Sequence, residues 1–165
     1  MDAIEALRGR RSIREYEKTP VDPELIETIV DAGHLAATGR GVEPWEFVVI
    51  SDPETRNELA EICEYGKFIS QAPVCIAVLC RDTKYYLEDG SAATQNILVA
   101  TYALGLGSCW VAGDKKPYAD KVVRTMGAPE DFKLICLVSI GYPAAGQPPR
   151  RPKRPLEEVL HWEQF

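Results

Sequence analysis

The sequence predicts one layered domain of alternating strands and helices, α/β or α+β in class. Two observations predict it. Four short apolar runs, at 45–50, 74–80, 108–112 and 134–140, alternate with segments whose apolar residues recur at helical spacing. A chain of 165 residues with 45% apolar content also suffices for one real core, with no internal repeat and no second domain. Residues 1–165 are therefore read as a single unit, with 144–165 as a C-terminal arm.

The elements follow in order. Residues 2–8 carry Ile4 and Leu7 beside Ala3 and Ala6, a short helix stopped by Gly9. Asp22 is the expected N-cap of a second helix with Pro23 at its first position. Leu25, Ile26, Ile29, Val30, Gly33 and His34 carry that helix through about four turns to Thr38. The run 45–50 is rich in β-forming residues. Asp52-Pro53 then starts a helix with Leu59, Ile62 and Cys63 inward. The run 74–80 is apolar throughout, which suits a strand buried on both faces. Residues 90–113 hold no charged side chain. Ser91, Thr94, Gln95, Asn96 and Thr101 interrupt this stretch, and Gly105-Leu106-Gly107 ends it, so it is a central packed helix and not a membrane span. A second subunit covering part of it would ease its burial. Residues 118–126 are amphipathic, with Val122, Val123 and Met126 inward, and 134–140 form the last strand. Five prolines between 143 and 155 forbid regular structure in the arm. The apolar segment 156–162 beyond it is expected to dock on another surface.

A net charge of −6 and a pI near 5.0 exclude a protein that coats nucleic acid or anionic membrane. Met1 leads into Asp2 with no basic-then-apolar leader, so a cytoplasmic location is expected. The five cysteines form no CxxC pair and read as small buried hydrophobes in a reducing compartment. With only His34 and His161 available, no metal site is expected. Each histidine is assigned a core or interface role.

Eight of the 19 basic residues fall in two windows. One holds Arg8, Arg10, Arg11 and Arg14; the other holds Arg150, Arg151, Lys153 and Arg154. The rest of the chain sets 11 basic residues against 25 acidic ones. Guanidinium groups match phosphate oxygens, and Ser12 adds a hydroxyl donor. The two windows are therefore expected to meet around one phosphate, against the ordinary alternative of solvated surface arginines. No Walker A loop, dinucleotide-binding GxGxxG or GxSxG elbow occurs.

Four stretches, in order, resemble the flavin-dependent nitroreductase family. They are Arg10-Arg-Ser-Ile-Arg14-Glu-Tyr16, then Ala36 through Pro44-Trp45 to Ile50, then Ala92-Ala-Thr-Gln-Asn-Ile-Leu98 with Gly105-Leu-Gly-Ser-Cys-Trp110, and last Gly141-Tyr-Pro143 with Arg154-Pro-Leu-Glu-Glu158. The resemblance implies an α+β fold with a central, mostly antiparallel sheet flanked by helices, working as an intertwined homodimer. It implies FMN at the dimer interface, NADH or NADPH as electron donor, and a nitroaromatic, quinone or enone as acceptor. By position, Arg10, Arg11 and Ser12 resemble the phosphate and ribityl contacts, and Arg14 the basic residue at the flavin pyrimidine edge. Trp110, Val111, Ala112 and Gly113 resemble the segment along the isoalloxazine, with a backbone N–H near Ala112 at flavin N5. Arg151, Lys153 and Arg154 resemble the late phosphate contacts; the prolines between them leave open which one serves. Thr38, Gly39 and Gly41 resemble a further contact loop. The arm would dock on the partner subunit.

Flavin chemistry fits this reading. Two electrons and one proton added at N5 leave negative charge at N1 and O2, which a fixed guanidinium stabilises. The flavin carries the redox work, so no protein nucleophile is needed. The chain departs from the family at Gly41 and Glu43, where an Asn and a Gln are usual. It is also short, which leaves little lid over the pocket. Two other readings stand beside this one: dehalogenation, flavin fragmentation or substrate oxidation on the same fold, and a non-enzymatic phospholigand-binding protein.

Overall fold

The computed structural model describes residues 1–149 and 152–165. Its sheet has strands β1 (Trp45–Ile50), β2 (Val74–Arg81), β3 (Gly107–Ala112) and β4 (Phe132–Gly141) in the order β1-β2-β4-β3. Every neighbouring pair is antiparallel, so the class is α+β. The helices are α1 (Ala3–Gly9), α2 (Pro23–His34), α3 (Pro53–Ile62), α4 (Tyr86–Ala103) and α5 (Ala119–Thr125).

The two-residue period of the strands sends side chains to both faces, and both faces are covered. Ile76, Val78, Val138 and Ile140 meet Ile26 and Ile29 of α2 and Ala93 and Ile97 of α4. Cys75, Ala77, Leu79 and Leu137 meet Leu59 and Ala60 of α3 and Val122 and Val123 of α5. This two-sided burial explains why β2 reads as one continuous apolar run. The β2–β4 register slips between Val78 and Leu79, which pair with Cys136 and Leu134, so Ile135 is an extra residue in β4. Above this bulge lies Gly90 of α4. A Cβ there would stand 2.5 Å from Ile135 Cγ1 and 2.9 Å from Cys80 Sγ, so the approach of helix to sheet requires glycine.

Two expectations are corrected. The second helix stops at His34 instead of Thr38. Leu35 N–H still reaches Asp31 O at 2.9 Å, but Thr38 Oγ1 and Gly39 N–H donate to the Asp89 carboxylate at 3.1 and 2.8 Å. These bonds draw the chain onto the first turn of α4. His34 is not a core residue: it is exposed, 3.6 Å from Asp31. All five cysteines are buried and free, and burial pushes the Cys80 and Cys136 thiols up to about 12.

Candidate functional site

The arginine stretch lies along the free edge of the sheet. A capping box between Asp2 and Glu5 starts α1, and Arg10 N–H closes it on Ala6 O at 3.0 Å. The chain then turns extended. Ile13 N–H donates to Ser108 O at 2.9 Å, and Ser12 bridges Ser108 as a parallel neighbour of β3. Ile13 is buried against Gly107, where a Cβ would stand 2.7 Å from it. Tyr16 is buried too, its hydroxyl donating to Ile13 O at 2.6 Å and lying 2.7 Å from Ser139 Oγ. Burying Ile13 turns Ser12 and Arg14 outward, while Arg10 and Arg11 are half-buried. Arg10, Ser12 and Arg14 converge on Cys109 of β3: burial raises its thiol, and these three oppose the rise. The Arg14 guanidinium also lies 5.7 Å over the Phe68 ring. Arg11 turns elsewhere, its Nη1 donating to Pro148 O at 2.9 Å.

The strand beside them has one open side. Ile13 bonds Ser108 O from that side, while Gly113 N–H donates to Ile135 O at 3.0 Å on the other. Alternation therefore directs the backbone groups of Ser108, Trp110 and Ala112 to the open side, and those of Cys109 and Val111 to β4. Trp110 packs its ring against the α2/α4 side, and Val111 is buried on the α3/α5 side. Ile135 O accepts Asp114 N–H as well, at 3.1 Å, so the bulge fixes the turn that ends β3. A Cβ on Gly113 would stand 2.5 Å from Leu134 Cγ. Two hydroxyls brace this turn: Tyr118 donates to Ala112 O, and Tyr86 donates to Asp114 Oδ1 at 2.8 Å.

The loop before β1, at the other edge of the sheet, is tied to the first turn of α4. Thr38 Oγ1 donates to Asp89 and accepts Glu43 N–H at 3.0 Å, so its hydroxyl is engaged on both sides. Arg40, Gly41 and Glu43 have φ of 62°, 66° and 48°. The left-handed backbone explains glycine at 41 independently of any ligand. Asp89, only 4% exposed, was missed from sequence. An acid in a first helical turn is ordinary dipole chemistry, and nothing in sequence ties it to a backbone N–H fifty positions away.

Among the described residues, the first basic stretch is bonded to the root of the arm, ahead of the second window, which begins at Arg150. Gln147 Nε2 donates to Glu15 O at 2.8 Å, and Ala144 N–H donates to the same oxygen at 3.0 Å. Lys153 and Arg154 are exposed, and Arg154 bonds Glu158 through its carboxylate at 3.1 Å and its carbonyl at 2.9 Å. Arg151 lies outside the described residues.

The nitroreductase family model matches residues 7–66 and 63–142. The chain belongs to the nitroreductase family. A protein of Methanothermobacter thermautotrophicus, named a candidate NADH dehydrogenase/NAD(P)H nitroreductase, is 36% identical over 152 residues, 87% of this chain and 78% of that protein. A Bacteroides thetaiotaomicron structure of the same description superposes with a TM-score of 0.93 at 33% identity, over 99% of this chain and 98% of that one. An FMN-dependent nitroreductase from Clostridium difficile superposes at 0.90 with 28% identity, over 98% and 99% of the two chains. Both matched structures align along nearly their whole length.

Proposed function

We propose that the chain is an FMN-dependent NAD(P)H oxidoreductase, a cytoplasmic homodimer that delivers electrons from NADH or NADPH to a nitroaromatic, quinone or enone acceptor. One observation carries the reading. Arg10, Ser12 and Arg14 line the same open edge of β3 toward which Ala112 presents its N–H. The donor set suits a flavin mononucleotide: cations and a hydroxyl for phosphate and ribityl, a second cation for a pyrimidine edge, and a backbone donor for a ring nitrogen. The FMN dependence of the Clostridium difficile relative supports the same cofactor. Family membership speaks against the phospholigand-binding alternative.

FMN would supply hydride transfer at its N5. Arg10 and Ser12 would hold phosphate and ribityl, completed by Arg151, Lys153 or Arg154 of the arm. Arg11, bound to Pro148, holds the root of that arm in place. Arg14 supplies fixed positive charge for the reduced ring. Trp110, Val111, Ala112 and Gly113 would line the flavin. Thr38, Gly39 and Gly41 would add contacts from the loop before β1.

Homodimerisation is supported by apolar surface without cover in the single chain. Ile4 and Leu7 of α1 are 54% and 50% exposed, and Leu156, Val159, Leu160 and Trp162 of the arm are exposed as well. The test is thermal: saturating FMN should raise Tm, since a ligand at a hundred times its Kd adds about 2.7 kcal/mol to the folded state. A melting curve indifferent to FMN would remove the proposal.

A further inference from the structure

We infer that Tyr118 is a positioning residue that tunes the flavin: its hydroxyl masks the Ala112 carbonyl, leaving the end of β3 with a free donor and an engaged acceptor, which favours oxidised over reduced cofactor. The inference rests on the proposed FMN site.

In extended backbone a residue's N–H and C=O face the same side of the strand. Ala112 thus presents both a donor and an acceptor to the open edge. Oxidised flavin N5 is an acceptor. After two electrons and a proton arrive from the nicotinamide, N5 is an N–H donor. An edge with both groups free would satisfy both forms; an edge whose carbonyl already accepts a hydroxyl satisfies the first better than the second. The masked edge therefore lowers the potential and makes the reduced cofactor a readier donor to the acceptor.

The geometry supplies the mask. A carbonyl only accepts, so Tyr118 must donate in its bond to Ala112 O. Because that oxygen faces the open side, the hydroxyl bonded to it stands there too. The hydroxyl has a second neighbour, the Cys63 thiol. Burial pushes that thiol up to about 11, so it remains S–H, a weak acceptor that leaves the hydroxyl proton to the Ala112 carbonyl. Burial also pushes Tyr118 up to about 12, so its proton is retained through the neutral range. The core holds the residue in place: Tyr118 O accepts Val122 N–H at 3.0 Å, and Val122 is fully buried against the sheet. The nearby Tyr86 hydroxyl braces Asp114 and does not touch Ala112.

The experiment is a redox titration of FMN-loaded protein against reference dyes, with Tyr118→Phe and Tyr86→Phe alongside wild type. Tyr118 is half-buried at a helix start, and circular dichroism will report whether Tyr118→Phe folds. The phenylalanine frees the carbonyl. Relative affinity for reduced over oxidised FMN should rise about tenfold, a midpoint about 30 mV more positive for a two-electron couple. Tyr86→Phe should keep the wild-type midpoint. A Tyr118→Phe midpoint that is unchanged or more negative overturns the mask, as does an equal shift in Tyr86→Phe. Wild-type protein that binds no FMN overturns the proposed function and the mask together; bound FMN with an unmoved midpoint overturns the mask alone.

Discussion

Arg10 and Arg14 leave the same extended stretch toward different tasks. Arg10 is half-buried at the end of α1, and Arg14 is exposed over Phe68. Arg10→Ala should weaken FMN binding by about 2 kcal/mol, the low end for a truncated charge contact because the site is partly solvated. That is roughly 30-fold in Kd by fluorescence titration. Arg14→Ala should make the potential more negative while changing Kd less. Wild-type values for both variants would take this stretch out of the site. Gly41 shows what sequence could not separate. Its departure from the usual Asn reads as a lost flavin contact, yet its φ of 66° is reason enough for glycine. Asn tolerates the left-handed region and a β-branched residue does not. Gly41→Asn should therefore fold normally, and Gly41→Val should lose about 1 kcal/mol or more in urea denaturation. An equally stable valine variant would mean the loop relaxes out of this conformation.

Among the elements, strands and helix starts were legible because their causes are local. A β-rich run marked β1 and an unbroken apolar run marked β2, and Asp22-Pro23 and Asp52-Pro53 marked two N-termini. The end of α2 was not legible, because the Asp89 carboxylate that redirects the chain is supplied from α4. Nor was the bulge at Ile135, which no glycine or proline announces. The placement of α4 on that bulge gives a test. Gly90→Ala forces a methyl into Ile135 and should cost about 1–3 kcal/mol of stability. A neutral result would show that helix and sheet separate freely. The start of α3 carries a pH dependence. The Thr55 hydroxyl, with its backbone N–H, holds Asp52 below its ordinary value of 3.8. A depressed carboxyl stabilises the fold above its unfolded pKa and loses that contribution as pH falls through the folded one. Asp52→Asn should therefore flatten the acid limb of a Tm profile below about pH 4 and leave its slope at neutral pH unaltered.

At the scale of the whole molecule, the proposed site is divided between the edge of β3 and the arm. The arm's root is bonded to Glu15 and Arg11, but its apolar end carries Trp162 at 79% exposure. The sequence had already shown both basic windows and the apolar segment after the prolines. It could not show that the first window is bonded to the root of the arm at Pro148, because that depends on the path the arm takes after β4. If the arm seats on a second copy, deleting 152–165 should convert a dimer to a monomer in sedimentation and weaken FMN retention together. A truncated dimer with full FMN content would place the interface elsewhere. The central claim is that this edge holds FMN and passes electrons from a nicotinamide through it, and the visible spectrum tests it most directly. Purified protein should be yellow, bleach under anaerobic NADH or NADPH, and regain its colour when a quinone or nitroaromatic is added. A colourless protein that takes up no FMN, or a yellow one that neither nucleotide bleaches, would contradict it.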